Sequence, residues 1–206
     1  MKLFSKLSVL LFFASVFFGI FVHNAAFASK TDNAVTLVNE LLEEVSNIQK
    51  TRVTTEQRRA EFRKLIDTFF DVRVIAKVST GPYWRAATSH EKEKYTNLIS
   101  ELIADVTSSQ LGDIENFSFD FQSSIPKGDR MVMVLGNLLV PNQSINKISV
   151  KWRVSTPDVG TEKIIDIEFE NISMLVTQKQ ENIAIIRKNA GAFSSLIEAI
   201  EGKLRN

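Results

Sequence analysis

The chain has no cysteine. That excludes a disulfide framework, a thiol nucleophile and every Cys-based metal site, so stability must come from packing. Histidine is nearly absent as well, with 2 in 206 residues. His23 directly follows an apolar N-terminal run, and beyond that segment His90 is the only one. One histidine excludes the multi-His zinc arrangements and most metal-hydrolase sites. His90 falls in the first turn of an expected helix and reads as a surface residue. Neither a G-x-S-x-G elbow nor a glycine-rich phosphate loop occurs. Ser-Lys or paired-carboxylate chemistry converges in space and would leave no sequence signature. The acidic pairs Glu43-Glu44 and Glu168 with Glu170 read as solvated faces. Positive evidence for an enzyme is lacking, and no metal or cofactor is expected.

Charge of one sign is missing too, once the N-terminus is set apart. Lys2 and Lys6 precede an apolar run from Leu7 to Val22, and Ala26-Phe27-Ala28 follows as an A-x-A box. The run is shorter than the roughly 20 residues of a membrane-spanning helix. A cleavable export signal over residues 1–28 is therefore favoured over an anchor, with Ser29 as the mature N-terminus. Lys2 and Lys6 leave with it, so Lys+Arg falls from 25 to 23 against 24 Asp+Glu, a net charge of −1. No basic excess remains to attract nucleic acid. Residues 29–206 fit a single domain able to bury a core, and a monomer is expected.

Proline is scarce, and each of the 4 marks a turn. Gly81-Pro82 separates helices, while Pro126-Lys127-Gly128-Asp129, Pro141-Asn142 and Pro157-Asp158-Val159-Gly160 separate strands. Between them the hydrophobic period changes once. Up to Leu111 it is helical: Ala34, Val38, Leu41, Leu42, Val45 and Ile48 form one stripe, and Phe62, Leu65, Ile66, Phe69 and Phe70 another. Thr54 with Gln57 and Thr88 with Glu91 have capping-box spacing, and Asp71 is placed to cap a short helix. A long helix after Thr88 carries Tyr95, Leu98, Ile99, Leu102, Ile103 and Val106 on one face.

From Phe117 the period is two. Phe117, Phe119 and Phe121 alternate with polar residues, as do Ile148, Val150, Trp152 and Val154, and then Ile165, Ile167 and Phe169. The segment 131–140 is apolar at nearly every position and predicts a strand buried on both faces. Four strands joined by short turns predict an antiparallel meander. Two helices follow, about Leu175–Arg187 and one carrying Phe193, Leu196, Ile197, Ile200 and Leu204. The expected class is α+β, with helices on one face of the sheet. That inward face is built from Phe117, Phe119, Phe121, Val150, Trp152, Ile165, Ile167 and Phe169, with Met131 and Met133 nearby. On the residues alone, such an aromatic stripe reads first as a filled core.

Several phrases of the chain go together. Phe69-Phe70-Asp71 ends one helix. After a short helix come Gly81, Tyr83-Trp84-Arg85 and the charged helix beyond Thr88. Further on stand a Trp-bearing strand, Asp166 in K-I-I-D, the run Asn171-Ile172-Ser173-Met174, and R-K-N-A-G before the last helix. This wording resembles the soluble periplasmic phospholipid carrier of the Mla (maintenance of lipid asymmetry) ABC transport system, a toluene-tolerance protein family. It spans roughly residues 31–205. Where members of that family often have glycine this chain has Asn171, a residue that tolerates the left-handed conformation.

The resemblance implies a deep apolar cavity between sheet and helices, holding the acyl chains of one phospholipid as cargo. It also implies two partners, an outer-membrane lipoprotein–porin complex and an inner-membrane ABC transporter with its substrate-binding ring. Phe69, Phe70, Tyr83 and Trp84 then join the sheet residues as candidate lipid contacts, with Tyr83-Trp84 at the cavity wall or mouth. Each methylene removed from water is worth about 0.8 kcal/mol, so a lipid of some thirty methylenes needs on the order of 20 kcal/mol of shelter. A carrier of another lipid, such as a hopanoid, fits the same motifs. A dry adaptor bridging the two membranes is the alternative of a different class. Arg58, Arg59, Lys64, Lys92 and Lys94 are the charges available to steer docking.

Overall fold

Five helices precede the sheet, and local hydrogen bonds set where most of them begin. The structure, a computed structural model, describes residues 29–51, 53–111, 116–141 and 147–205. The expected export signal lies outside these residues. Helix α1 covers 29–50 and buries Ala34, Val38, Leu41 and Val45. α2 (Thr55–Phe69) opens with the expected box: Gln57 N donates to Thr54 Oγ1 at 3.2 Å, and Thr54 N donates to Gln57 Oε1 at 2.9 Å. Asp71 accepts from Val74 N at 2.9 Å to start α3 (Val72–Thr80). Gly81, at φ +57°, ends that helix in the left-handed region, which costs glycine little. Tyr83–Ala86 then forms one helical turn, α4, where the sequence suggested only a turn.

α5 (Ser89–Leu111) begins at the Thr88–Glu91 box. The Thr88 backbone hydrogen bond, helped by its hydroxyl, holds the Glu91 carboxyl below the usual carboxylate range. Tyr95, Ile99 and Leu102 are buried as expected, but Val106 is 43% exposed. Ser100, Ala104 and Ser108 are buried instead. α5 packs against α2, α3 and α7 together, so its buried arc is wider than a single stripe and turned away from Val106.

The sheet runs β1 (Ser118–Pro126), β2 (Met131–Leu139), β3 (Lys147–Ser155), β4 (Lys163–Phe169) and β5 (Ile172–Ser173), in that order and antiparallel throughout. The class is α+β. The meander has five strands rather than four, because the chain reverses at Glu170-Asn171 and pairs two more residues. Asn171 makes that reversal at φ +67°, with Glu170 at +48°. α6 (Met174–Lys188) and α7 (Ser194–Leu204) close the chain.

One face of the sheet meets the helices. Val132, Val134, Val150, Trp152, Val154 and Ile164 on it share a single core with Val38, Phe62, Ile66, Phe69, Ile99 and Leu196 from the helical layer. A parallel bridge from Phe70 to Ile164, with Asp71 N donating to Ile164 O at 2.9 Å, ties that layer to β4. The expectation that β2 is buried on both faces is corrected. Its even-numbered residues from Val132 to Gly136 are buried, whereas Met131, Met133 and Leu135 are half-buried on the other face.

A polar cluster crosses the helical layer. Ser79 Oγ and Tyr95 Oη share a hydrogen bond of 2.9 Å, and Asn182 Nδ2 donates to Tyr95 Oη at 2.7 Å and to Ser79 O at 3.2 Å. All three residues are buried, joining α3, α5 and α6. Burial pushes the Tyr95 phenol up from 10 to about 12, although its bonds with Ser79 and Asn182 pull the other way. Below pH 10 the phenol is neutral in both states. Between pH 10 and 12 only the unfolded chain ionises, so stability is lost as pH rises. At 1.36 kcal/mol per pH unit the loss is about 2–3 kcal/mol. Urea unfolding across this range should show it in the wild type and not in Tyr95→Phe.

Candidate functional site

Strand register arranges the helix-facing side chains in rows. The first holds Val132, Val154 and Ile164, and the second Val134, Trp152 and Ile167. The third holds Phe121, Gly136, Val150 and Phe169, and the fourth Phe119, Leu138 and Ile148. Burial is graded along these rows. The first is sealed, and α1 is pinned there: Lys30 Nζ donates to Asp129 O at 3.0 Å and Pro157 O at 3.2 Å, and Asn33 Nδ2 to Glu162 Oε1 at 3.0 Å. In the fourth row Phe119, Leu138 and Ile148 are only half-buried, and Phe121 in the third is 43% exposed. Helical cover is complete at one end of the apolar face and incomplete at the other.

Gly136 shapes the open end. A Cβ there would stand 2.5 Å from the ring of Phe119 and 2.7 Å from Asp120 O. The missing side chain is what lets the Phe119 ring lie across β2, a close approach only glycine permits. Trp152 adds a polar feature to an apolar face. It is 4% exposed, and its indole Nε1 is buried with no hydrogen-bond partner among the described residues. An unmet buried donor costs about 1–3 kcal/mol, and its neighbours across the strands are Val134 and Ile167.

The remaining candidates divide. Phe117 packs at the open end of the core, and Val150, Ile167 and Phe169 lie in the rows above. Phe69 and Phe70 are buried where α2 meets β4. Tyr83 and Trp84 are half-buried in α4. Tyr83 stands beside Gly191 in the turn between α6 and α7, and Lys92 Nζ lies 5.9 Å from the Trp84 ring centre. Three expectations of placement are corrected. Met131 and Met133 alternate with Val132 and Val134 and so occupy the opposite sheet face. Ile165 is the extra residue of a β-bulge, since Arg153 pairs with Asp166 and Val154 with Ile164.

On that opposite face the polar side of β4 is not solvated, contrary to the reading of Glu168. Asp166 and Glu168 are buried, and Arg153 pairs with both, to Asp166 at 3.1 Å. Lys151 reaches Glu168 at 3.6 Å. Asp166 also accepts from Ser173 Oγ at 2.6 Å and from Leu175 N at 2.9 Å, which makes it a cap of α6. Of the charges expected to steer docking, Arg59 pairs with Asp105, Lys64 with Glu61 and Lys94 with Glu201, while Lys92 sits over Trp84.

The helix-facing side of the sheet is a packed core at its sealed end and is half-covered at the other. A hollow of about 510 Å³ lies outside, along α6, and another of about 190 Å³ between α1 and Glu162. No group of acidic residues and histidine able to hold a metal occurs among the described residues. None of their helices is long and apolar enough to cross a membrane. The chemistry this face offers is apolar contact at its half-covered end.

Comparison with known proteins agrees with that architecture. The family model described as MlaC protein matches residues 35–202, most of the chain. The chain belongs to the MlaC family. No curated protein matches it. Among solved structures, a phospholipid-binding protein from Ralstonia solanacearum, determined in complex with a phospholipid, superposes with a TM-score of 0.72. The match covers 84% of this chain and 99% of that one at 17% identity, so it establishes a shared fold. The open end of the helix-facing side of the sheet is marked by Phe119, Phe121, Leu138 and Ile148.

Proposed function

We propose that this protein is an exported phospholipid carrier. Residues 1–28 are removed on export, residues 29–206 form one lipid-binding domain, and the cargo's acyl chains lie along the helix-facing side of the sheet. The observation that carries this reading is the graded cover of an apolar face in a MlaC family member, sealed beside α1 and half-open at Phe119, Leu138 and Ile148. Half-buried aromatic and aliphatic side chains move aside at far lower cost than a sealed core, so acyl chains enter there and the headgroup stays near water. The unmet Trp152 donor supports a ligand with an acceptor, because a cargo ester carbonyl would supply what the protein does not. Phe117, Phe121, Val150, Ile167 and Phe169 form the wall, and Phe69 and Phe70 back it. Met131 and Met133 lie off this face.

Carriage is non-covalent and needs no catalytic residue. The carrier loads at one membrane complex, crosses the periplasm and unloads at another, between an outer-membrane lipoprotein–porin complex and an inner-membrane ABC transporter. Native mass spectrometry of residues 29–206, purified without detergent, tests the cargo. One adduct per chain, confirmed by extraction as phospholipid, is expected. A lipid-free protein that takes up nothing from phospholipid vesicles overturns the proposal in favour of a dry adaptor.

A further inference from the structure

The cations expected to steer docking are mostly spent within the chain, which directs attention to those that are not. Lys179 and Arg187 are two of several cations that make no hydrogen bond or ion pair among the described residues. Both line the 510 Å³ hollow on α6, with Val176, Gln180, Ile183 and Ala184. These positions follow i, i+4, i+7 and i+8 along one side of the helix, plus the two cations at i+3 and i+11. From Val176 to Arg187 they cover eleven steps along the helix, about 16 Å at 1.5 Å per residue. The inner side of α6 packs on α3, α7 and β4, so this stripe is its outer side. Gly81 abuts one wall: a Cβ there would lie 3.3 Å from Ile183 Cδ1 and 3.4 Å from Lys179 Cε. Val176 is 45% exposed and Val78, on the adjoining α3, is 39% exposed. No carboxylate lines the hollow.

We propose that this trough is a docking site for an acidic amphipathic helix of a partner protein. The lining from Val176 to Ala184 covers about two turns, and its apolar residues at i, i+7 and i+8 can receive the apolar anchors by which an amphipathic helix fills a groove. The two unpaired cations, about 12 Å apart along α6, match carboxylates spaced two turns apart on such a helix. Charge complementarity of this kind sets on-rate and orientation more than affinity. A bilayer is the competing occupant, since exposed apolar residues beside basic ones also suit an anionic membrane. The charge count decides between them: a basic membrane-binding cluster carries about four to eight Lys or Arg, whereas this lining has Lys179 and Arg187 alone. This site lies on the outer side of α6, away from the sheet face assigned to cargo, and the inference does not rest on the lipid reading.

The test uses two synthetic 18-residue amphipathic helices with the same leucine face, one flanked by glutamate and the other by lysine. Anisotropy titration of the mature protein should show binding of the glutamate peptide that weakens at least tenfold between about 50 and 500 mM salt. The lysine peptide should bind at least tenfold more weakly. The double variant Lys179→Glu with Arg187→Glu should reverse that preference while unfolding at the wild-type temperature. Ala184→Glu should weaken the glutamate peptide in the wild-type background. Equal binding of both peptides, no binding of either, or a preference unchanged by charge reversal overturns the proposal. So does co-sedimentation with 7:3 neutral-to-anionic phospholipid vesicles that charge reversal abolishes, which would assign the patch to a membrane. Native mass spectrometry of the double variant should still show the wild-type adduct, separating failed docking from failed carriage.

Discussion

Val150→Asp is expected to lose both the stability of the fold and its lipid. Val150 is 0% exposed at the centre of the sheet, between Gly136 on β2 and Phe169 on β4. The cations of its own strand, Lys151 and Arg153, point to the other face, so a carboxylate there gains no partner from β3. An unpaired buried charge costs several kcal/mol, set against a typical total of about 5–15 kcal/mol. The unfolding temperature should fall by about 10 °C or more. Lost lipid in an unfolded chain proves little, so a milder variant carries the functional test. Leu138→Gln combined with Ile148→Gln changes two half-buried residues of the open row, and the cost should stay near 1–3 kcal/mol. The expected result is a folded protein without its adduct in native mass spectrometry. A folded double variant that retains one phospholipid per chain would show that this face is not the pocket wall.

The second large effect is expected at Asp166, on the opposite face. Its carboxylate holds three donors: Arg153, Ser173 Oγ and the Leu175 amide at the start of α6. Breaking a buried pair by removing one partner costs about 3–5 kcal/mol. Arg153 is about a third exposed and keeps Glu168, so Asp166→Ala should fall at the lower end, about 2–4 kcal/mol. Asp166→Asn keeps an acceptor for Leu175 N and should recover part of the loss. Urea unfolding measures the total. Hydrogen exchange locates it, because α6 should lose protection first from its N-terminus. Equal stability of wild type and Asp166→Ala would show that the triple contact contributes nothing net.

The parts of this protein legible in its sequence are those decided within a few residues. Thr54 with Gln57, Asp71, and Thr88 with Glu91 start helices through bonds three residues long, and spacing alone reveals them. The period of two marked β1, β3 and β4, and the order of helices and strands implied the α+β class. The combined wording of Phe69-Phe70-Asp71, Gly81 and Tyr83-Trp84-Arg85 pointed to the MlaC family. Parity of alternation shows that two faces of a strand differ but not which is covered. Glu168 therefore read as solvated, although Arg153 and Lys151 on the next strand bury it. β2 is apolar on both faces and carries no parity signal, so Met131 and Met133 could not be placed. A bulge displaced Ile165, and three neighbouring helices turned α5 away from Val106.

The sequence by itself determined the caps, the turns, the element order and the family, because each depends on neighbours along the chain. Only the tertiary structure decided that the apolar face is sealed at one end and half-open at the other. It also decided that most candidate docking charges are paired, and that Lys179 and Arg187, without partners among the described residues, line a hollow on α6. Cover and pairing depend on which elements meet in space, and contacts between residues distant in sequence leave no mark in local order.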